Sequence, residues 1–288
     1  MAPQMQICAA ITFMQAPSSM IVFPNCKINL GLYVTGRRAD GFHDLETVFY
    51  PLPVNDALEV LPAPALQFSS SGIAVPGDAA DNLCLRAFHL LQQDFPDLQP
   101  VQIHLHKHIP IGAGLGGGSA DAAFMLQLLN NKFQLGLDEQ QLIAYAAQLG
   151  SDCAFFIPNK PCYATGRGEV LEPIALDLSG YSFLLVYPGI HVNTAWAFRQ
   201  MTPQMPAHPL KEMIQLPVAD WKEVVKNDFE APVFSAHPVL GSIKEKMYEG
   251  GAIYAAMSGS GSAVVGIFPK NKIADILWDA SYRVFTIK

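Results

Sequence analysis

Charged residues are scarce in this chain of 288 residues, at 15% against 50% hydrophobic ones, which excludes an intrinsically disordered protein and a solvating acidic tail. Basic residues are scarcer still. Eighteen lysines and arginines against 25 acids leave a net charge of −7, and nowhere do the cations gather into a patch that would track a nucleic-acid backbone. A small soluble molecule is the partner to expect, not nucleic acid. Cysteine occurs only five times, at Cys8, Cys26, Cys84, Cys153 and Cys162, an odd and widely spaced set without a C-x-x-C pair. Neither a disulfide framework nor a zinc ribbon is indicated, and a cytoplasmic, reducing compartment fits. Residues 1–26 carry no charge of either sign, so the basic n-region of a secretory signal is missing, and Pro3, Gln4, Gln6, Gln15 and Pro17 interrupt the apolar run. The charge-free stretch from Gly250 to Pro269 has Ser258-Gly259-Ser260-Gly261-Ser262 at its centre, which would leave polar backbone in lipid. It reads as two strands and a turn, not a membrane span.

A chain about twice the length of an ordinary domain of ~150 residues predicts two domains sharing a cleft. Residues 1–19 have neither helical nor strand periodicity and read as an extension, or a product of start-site choice, ahead of the patterned segment that begins at Met20. Alternation at period two predicts strands over 26–34, 45–52 and 56–61, an antiparallel opening. Asp81 or Asn82 caps a helix through Phe95 with Leu83, Ala87, Leu90 and Leu91 on one side, and a strand follows over Val101 to His108. Helices are expected over Ser119 to Phe133 and from Asp138 to Gly150. Beyond Pro173 the pattern gives a strand (Phe183 to Tyr187), helices around Thr194 to Arg199, Ala219 to Val225 and Pro238 to Glu249, strands over 252–257 and 263–268, a helix over 271–279 and a strand over 282–287. The fold is α+β. A boundary in the neighbourhood of Asp177 to Gly180 divides it into units taken as 20–174 and 175–288.

The segment from Pro110 to Ala120 holds five glycines, at 112, 114, 116, 117 and 118, and runs straight into a helix. Glycines there expose successive backbone N–H groups, and the helix N-terminus adds partial positive charge, which together suit phosphate oxygens. Ser119 can donate to a phosphate or approach a bound Mg²⁺. A merely flexible loop would not be expected ahead of so regular a helix. A Walker A loop needs Lys-Ser or Lys-Thr after its last glycine, but Gly118 is followed by Ser119-Ala120. Gly112, Gly114 and Gly117 do fit G-x-G-x-x-G, with Asp138 at the distance of a ribose-binding acid. Against a dinucleotide fold, the strand before the loop alternates where a buried parallel strand would be apolar on both faces. A triphosphate is the better expectation.

Two further clusters carry chemistry. In Pro24 to Leu32, Cys26, Ile28, Leu30 and Leu32 share an apolar strand face, which puts Lys27 and Asn29 together on the other, as an active pair or as an ordinary solvated face. Asp152 follows a helix stop in an apolar run, as a functional acid or as a plain N-cap. Ser258 to Ser262 reads as a tight turn or a close approach to ligand. His104, His106 and His108 alternate on one strand face, but without a nearby carboxylate or cysteine, so no metal is assigned to them.

Taken together, Pro24 to Leu32, Pro110 to Ala123 and Ser258 to Ser262 resemble, in order and spacing, the three signature motifs of the GHMP kinase superfamily. Tyr33 to Thr47, with Arg37-Arg38-Ala39-Asp40-Gly41-Phe42-His43 at its centre, is similar to the substrate segment of the superfamily's isoprenoid-pathway branch. Leu149-Gly150-Ser151-Asp152 and Gly166-Arg167-Gly168-Glu169 extend the likeness from Met20 to near the C-terminus. The resemblance implies a ribosomal protein S5 domain 2-like ATP domain followed by a ferredoxin-like substrate domain. It implies ATP-dependent phosphorylation of the 2-hydroxyl of 4-diphosphocytidyl-2-C-methyl-D-erythritol, with ATP and an accompanying Mg²⁺ for which no protein ligand is assigned. The catalytic pair falls on Lys27 and Asp152, Asp152 as general base and Lys27 on the charge developing at the γ-phosphoryl group. ATP would lie on Pro110, Gly112, Gly114, Leu115, Gly116, Gly117, Gly118 and Ser119. Asn29 would orient the hydroxyl, His43 would bond the cytosine edge and Phe42 would stack on its ring. Phe198, following Thr194, is the candidate for the opposite face, and Gly259, Ser260 and Gly261 complete the substrate side. Other readings are a superfamily kinase for mevalonate, homoserine or a sugar, a non-catalytic nucleotide-binding module, and an NAD-dependent oxidoreductase.

Overall fold

The protein is described by a computed structural model over residues 20–288. The extension expected at residues 1–19, with Cys8, lies outside the described residues. The first half runs β1 (Met20–Val22), β2 (Asn25–Arg37), β3 (His43–Asn55), β4 (Ala57–Pro62), β5 (Gln67–Gly72), α1 (Leu83–Asp94), β6 (Val101–Lys107), α2 (Gly117–Phe133), α3 (Glu139–Leu149), β7 (Cys162–Thr165) and β8 (Val170–Pro173). They make two four-stranded sheets, β2-β3-β7-β8 and β1-β4-β6-β5. Every pairing is antiparallel except β5 with β6. The three helices lie on the second sheet, where Phe88, Leu91, Leu126 and Leu129 pack against Leu58, Ile103 and Leu105.

Local chemistry fixes the helix ends. The Asn82 side chain accepts from the Cys84 N–H, and α1 buries Cys84, Leu85, Ala87, Phe88 and Leu91, with Leu83 and Leu90 partly buried at its flanks. Asp138 and Gln141 form a reciprocal capping box at α3. Asp138 is therefore a cap, not a ribose ligand, and β6 lies between an antiparallel and a parallel neighbour. The dinucleotide reading fails on both counts.

The second half runs β9 (Tyr181–Tyr187), α4 (Thr194–Arg199), α5 (Leu210–Met213), α6 (Trp221–Val224), α7 (Glu230–Ala236), α8 (Pro238–Glu249), β10 (Tyr254–Met257), β11 (Val264–Pro269) and β12 (Arg283–Ile287). Its sheet has the antiparallel order β10-β11-β9-β12, the order of a ferredoxin-like unit. Ile28, Leu30 and Leu52 share one core with Leu185, Val265 and Ile267, so the two halves meet along β2. That contact explains why β2 is buried on both faces from Cys26 to Val34.

The expected helix over 271–279 does not form. Asn271 takes a left-handed φ of 57°, and the following segment is irregular. Ile276 instead fills the space over Gly250, where an added Cβ would lie 2.4 Å from its Cδ1. Tertiary docking of one side chain outweighs weak helical spacing in so short a connection. The helix expected over 219–225 is cut to a 3₁₀ turn, Val218–Asp220, leading into α6. Strands β7 and β8, of four residues each, and α7, of seven, are too short to show a period.

Candidate functional site

The glycine loop is stitched into both halves. Lys27 N–H of β2 donates to Leu115 O at 2.9 Å, and Ala263 N–H, next to β11, donates to Ala113 O at 3.1 Å. Gly112, Gly114 and Gly116 all have positive φ, and a Cβ on Gly114 would stand 2.0 Å from Ser258 O. Gly116 precedes α2 as its N-cap, in a left-handed conformation with no side-chain cap bond, so no protein side chain takes the place of an anion at that end. A cavity of about 320 Å³ lies on the α1 side of the loop, lined by the whole run Pro110 to Ser119, including Leu115, Gly117 and Gly118. A second, of about 360 Å³, lies on the β2 side, and Gly112, Gly114, Gly116 and Ser119 line both.

Lys27 and Asp152 meet in the second cavity. Lys27 Nζ is 3.3 Å from Asp152 Oδ2, with Lys27 4% exposed and Asp152 33%. The lysine also donates to Asn29 Oδ1 at 2.8 Å and sits 4.4 Å from the centre of the Phe49 ring. Asn29 Nδ2 in turn donates to Thr47 Oγ1 at 2.8 Å, and that hydroxyl donates to Gly31 O at 2.6 Å. This chain of bonds fixes which end of the Asn29 amide faces the lysine. Asp152 is not a helix cap: the short 3₁₀ turn after it starts from Cys153 without a side-chain cap bond. The arrangement offers an acid open to solvent beside a buried cation, at the edge of a phosphate-accepting loop.

The turn from Ser258 to Ser262 closes the site from the other half. Ser258 Oγ donates to Gly114 O at 2.8 Å and accepts from Asn29 N–H at 3.2 Å, so it ties turn, loop and β2 together. Gly259, Ser260 and Gly261 line the second cavity, and Ser260 shares a 3.0 Å hydrogen bond with Thr194. Asn227, 4% exposed, donates from Nδ2 to Met257 O and Gly259 O, both at 2.8 Å. It anchors the turn from behind. Phe198 lines the cavity and stacks on His43 with ring centroids 5.1 Å apart and an interplanar angle of 16°. Phe42 stands apart. It is 55% exposed, with the Arg167 guanidinium 5.0 Å over its ring, and the cavity wall does not include it.

Under the first cavity lies a buried charge cluster. Lys107 Nζ contacts Asp56 Oδ2 and lies 2.7 Å from Asp121 Oδ2, and none of the three side chains is more than 4% exposed. Asp56 Oδ1 also accepts from the N–H groups of His108 and Ile109, at 2.5 and 2.9 Å. His108 therefore does not continue the strand. Its ring packs edge-on to Phe285, whereas His104 and His106 bond to Ser69 and Ser71. Among the described residues no group of three or more His, Cys, Asp or Glu side chains could hold a metal ion. The four described cysteines are free and buried, and burial pushes the Cys26 thiol up to about 12 and that of Cys153 up to about 11.

Sequence reasoning assigned no role to Thr47, Asn227, the Ser258 side chain or the Asp56–Lys107–Asp121 cluster. Ser258 sits inside the serine-glycine turn and Asp121 inside the loop-to-helix segment, so both were adjacent to a visible signal. Asn227 and Asp56 lie in short connections where nothing in the local pattern marks them.

Comparison with known proteins adds an independent line. The family described as the GHMP kinases N terminal domain matches residues 82–159, and the GHMP kinases C terminal family matches residues 210–283. The 4-diphosphocytidyl-2-C-methyl-D-erythritol kinase of Bacteroides fragilis is 53% identical over 268 residues, covering 91% of this chain and 97% of that protein. That of Parabacteroides distasonis is 51% identical over 251 residues, covering 87% and 92%. A crystal structure of 4-(cytidine 5'-diphospho)-2C-methyl-D-erythritol kinase superposes with a TM-score of 0.76 at 35% identity, over 86% of this chain and 90% of that one. Homoserine kinase from Cytophaga hutchinsonii, at 14% identity and a TM-score of 0.67, shares the fold.

Proposed function

The chain belongs to the 4-diphosphocytidyl-2-C-methyl-D-erythritol kinases, a branch of the GHMP kinases, and on that premise we propose the reaction and the residues that perform it. The protein transfers the γ-phosphoryl group of ATP to the 2-hydroxyl of 4-diphosphocytidyl-2-C-methyl-D-erythritol, in the non-mevalonate route to isopentenyl diphosphate. The observation that carries the site assignment is the 3.3 Å Lys27–Asp152 pair, set in the second cavity beside the glycine loop.

The loop from Pro110 to Ser119 holds the triphosphate through the main-chain N–H groups that follow Pro110 and through the α2 N-terminus, with the nucleotide in the first cavity. Asp152, open to the second cavity, takes the proton from the substrate hydroxyl as its oxygen bonds to the γ-phosphorus and the bond to the β,γ-bridging oxygen breaks, releasing ADP. Lys27 stabilises charge on the transferring group, and Asn29, expected to orient the hydroxyl, has its amide bonded to Lys27 and Thr47 and instead holds the lysine on target. Phe198 offers a stacking face to the cytosine, with His43 beside it for the base edge and Phe42 at the outer rim. Gly259, Ser260, Gly261 and Thr194 line the path between base and hydroxyl. We further propose Mg²⁺ as the companion of ATP: with no group of three or more metal-binding side chains among the described residues, phosphate oxygens and the Ser119 hydroxyl would hold it, and it would neutralise phosphate charge. A cytoplasmic setting suits the free thiols. No helix among the described residues is long and apolar enough to cross a membrane.

The test is ADP release from Mg·ATP with this cytidine substrate, run beside mevalonate, homoserine and galactose. Turnover with the cytidine substrate alone is expected. Turnover only with another alcohol would leave the phosphate loop and remove the cytidine site. ATP binding without any transfer would favour a binding module.

A further inference from the structure

The turn that joins β7 to β8, Gly166 to Glu169, enters the wall of the second cavity through Arg167 and Gly168. Gly166 and Gly168 have φ of 67° and 104°, and Leu45 N–H donates to Gly166 O at 2.8 Å, which pins the turn to β3. Gly168 faces the reacting end: a Cβ there would lie 4.0 Å from Asp152 Oδ1 and 3.6 Å from Phe49 Cζ. Arg167 faces the other end. Its guanidinium lies 5.0 Å over the Phe42 ring, and the next residue, His43, stacks on Phe198. One turn thus holds a cation between the acid assigned to the hydroxyl and the rings assigned to the base.

Lys27 and Arg167 are the lysine and arginine that line this cavity, and their surroundings differ. Lys27 is buried and engaged by Asp152 and Asn29. Arg167 is 44% exposed, and its ion pair from Nε to Glu169 Oε1 is 3.5 Å long. The other oxygen of Glu169 accepts from the Arg167 main-chain N–H at 2.5 Å. An exposed pair of that length contributes little, and it uses a small part of what a guanidinium can donate. Arg38, at the same rim, is held instead by Asp40 at 3.1 Å and Asp44 at 2.9 Å, and it stands outside the cavity wall. His191 lines the cavity but belongs to the glycine loop, its Nδ1 2.7 Å from where a Cβ on Gly112 would be.

Resting on the kinase reading above, we infer that Arg167 binds the diphosphate of the cytidine substrate, and so selects for a diphosphate between base and alcohol. Each phosphoryl group of that diphosphate carries negative charge, and the pair must lie between the two ends of the substrate, where Arg167 stands. A guanidinium fork meets two phosphate oxygens at once, which an ammonium cannot do. On binding, the guanidinium exchanges its long contact with Glu169 for the phosphate oxygens. Phe42 then serves as the ring beneath this cation.

The experiment measures competitive inhibition by CDP and by cytidine against the cytidine substrate, at saturating Mg·ATP so that the nucleotide site is filled. Wild type is compared with Arg167→Gln and Arg167→Lys. Arg167→Gln should weaken inhibition by CDP about ten- to hundredfold, the range of hydrogen bonds to a charged group, and leave inhibition by cytidine unchanged. KM for the cytidine substrate should rise with it while KM for ATP holds. Arg167→Lys, which keeps the charge and loses the fork, should recover part of the loss. Cytidine reports the rings and the shape of the rim, so equal losses for CDP and cytidine would overturn the inference, as would unchanged inhibition by CDP in Arg167→Gln. Absence of transfer to the cytidine substrate by wild type would overturn the kinase reading itself.

Discussion

On the α1 side of the glycine loop the cavity wall includes the whole loop, Pro110 to Ser119 in unbroken sequence. On the β2 side it is side chains gathered from both halves: Lys27 and Asn29, then Asp152, then Thr194 and Phe198. A wall of backbone binds a group that every nucleotide has, phosphate, and asks only that side chains stay out of the way. A wall of converging side chains reads one substrate and does chemistry on it, and it exists only once the chain has folded. The two should therefore respond to substitution in different ways.

Removing either member of the Lys27–Asp152 pair should give the largest effect. Asp152→Ala or Lys27→Ala is expected to cut kcat by about 10²–10⁴-fold while direct ADP binding changes little, because the lost group acts on the far side of the loop. Next comes Gly114→Ala. Its φ of 79° and the 2.0 Å approach of its new Cβ to Ser258 O force the loop away from the turn, at about 1–3 kcal/mol for the backbone conformation alone. A raised KM for ATP and a lowered melting temperature are the readouts. Gly118→Ala sharpens the contrast, since its Cβ would meet only Leu83 Cδ1 at an ordinary 3.8 Å. Here the melting temperature should hold, and any rise in KM for ATP reports phosphate passing over that Cα.

Smaller and confined to the other cavity, Phe198→Ala should weaken competitive inhibition by CDP by about tenfold, in line with the loss of one aromatic stacking contact, with KM for ATP unchanged. Equal losses on both substrates would erase the division of labour. The smallest effect is one of stability against pH. The folded state raises the Asp121 carboxyl above its unfolded value, so it holds a proton that the unfolded chain has lost between about pH 4 and 7. Stability from this group is complete below that window and falls as pH rises through it. The melting temperature of Asp121→Asn relative to wild type should accordingly climb from pH 5 to 7 and then level off.

The same contrast governs how much could be read from sequence. The five glycines and the helix after them announce a backbone site locally, and all eight loop residues assigned to ATP line the first cavity. Lys27 and Asn29 on one strand face were legible too, because period two places them there. Their burial was not, since it depends on the second half packing along β2. Asp152 read alone was equally a helix cap, and only the family resemblance paired it with Lys27. Phe198 and His43 come from different halves, so their stacking has no local sign. Neither has the support that Asn227 gives to the serine-glycine turn. The helix expected over 271–279 fails for a related reason, as a contact with Gly250 outweighs the local spacing.

The most direct test of the account is single-turnover transfer from ATP to 4-diphosphocytidyl-2-C-methyl-D-erythritol by Asp152→Ala, with both substrates shown to bind. Phosphorylated product should form at least about 10²-fold more slowly than in wild type at saturating concentrations of both. Transfer at the wild-type rate would contradict the assignment of the Lys27–Asp152 pair as the site of reaction.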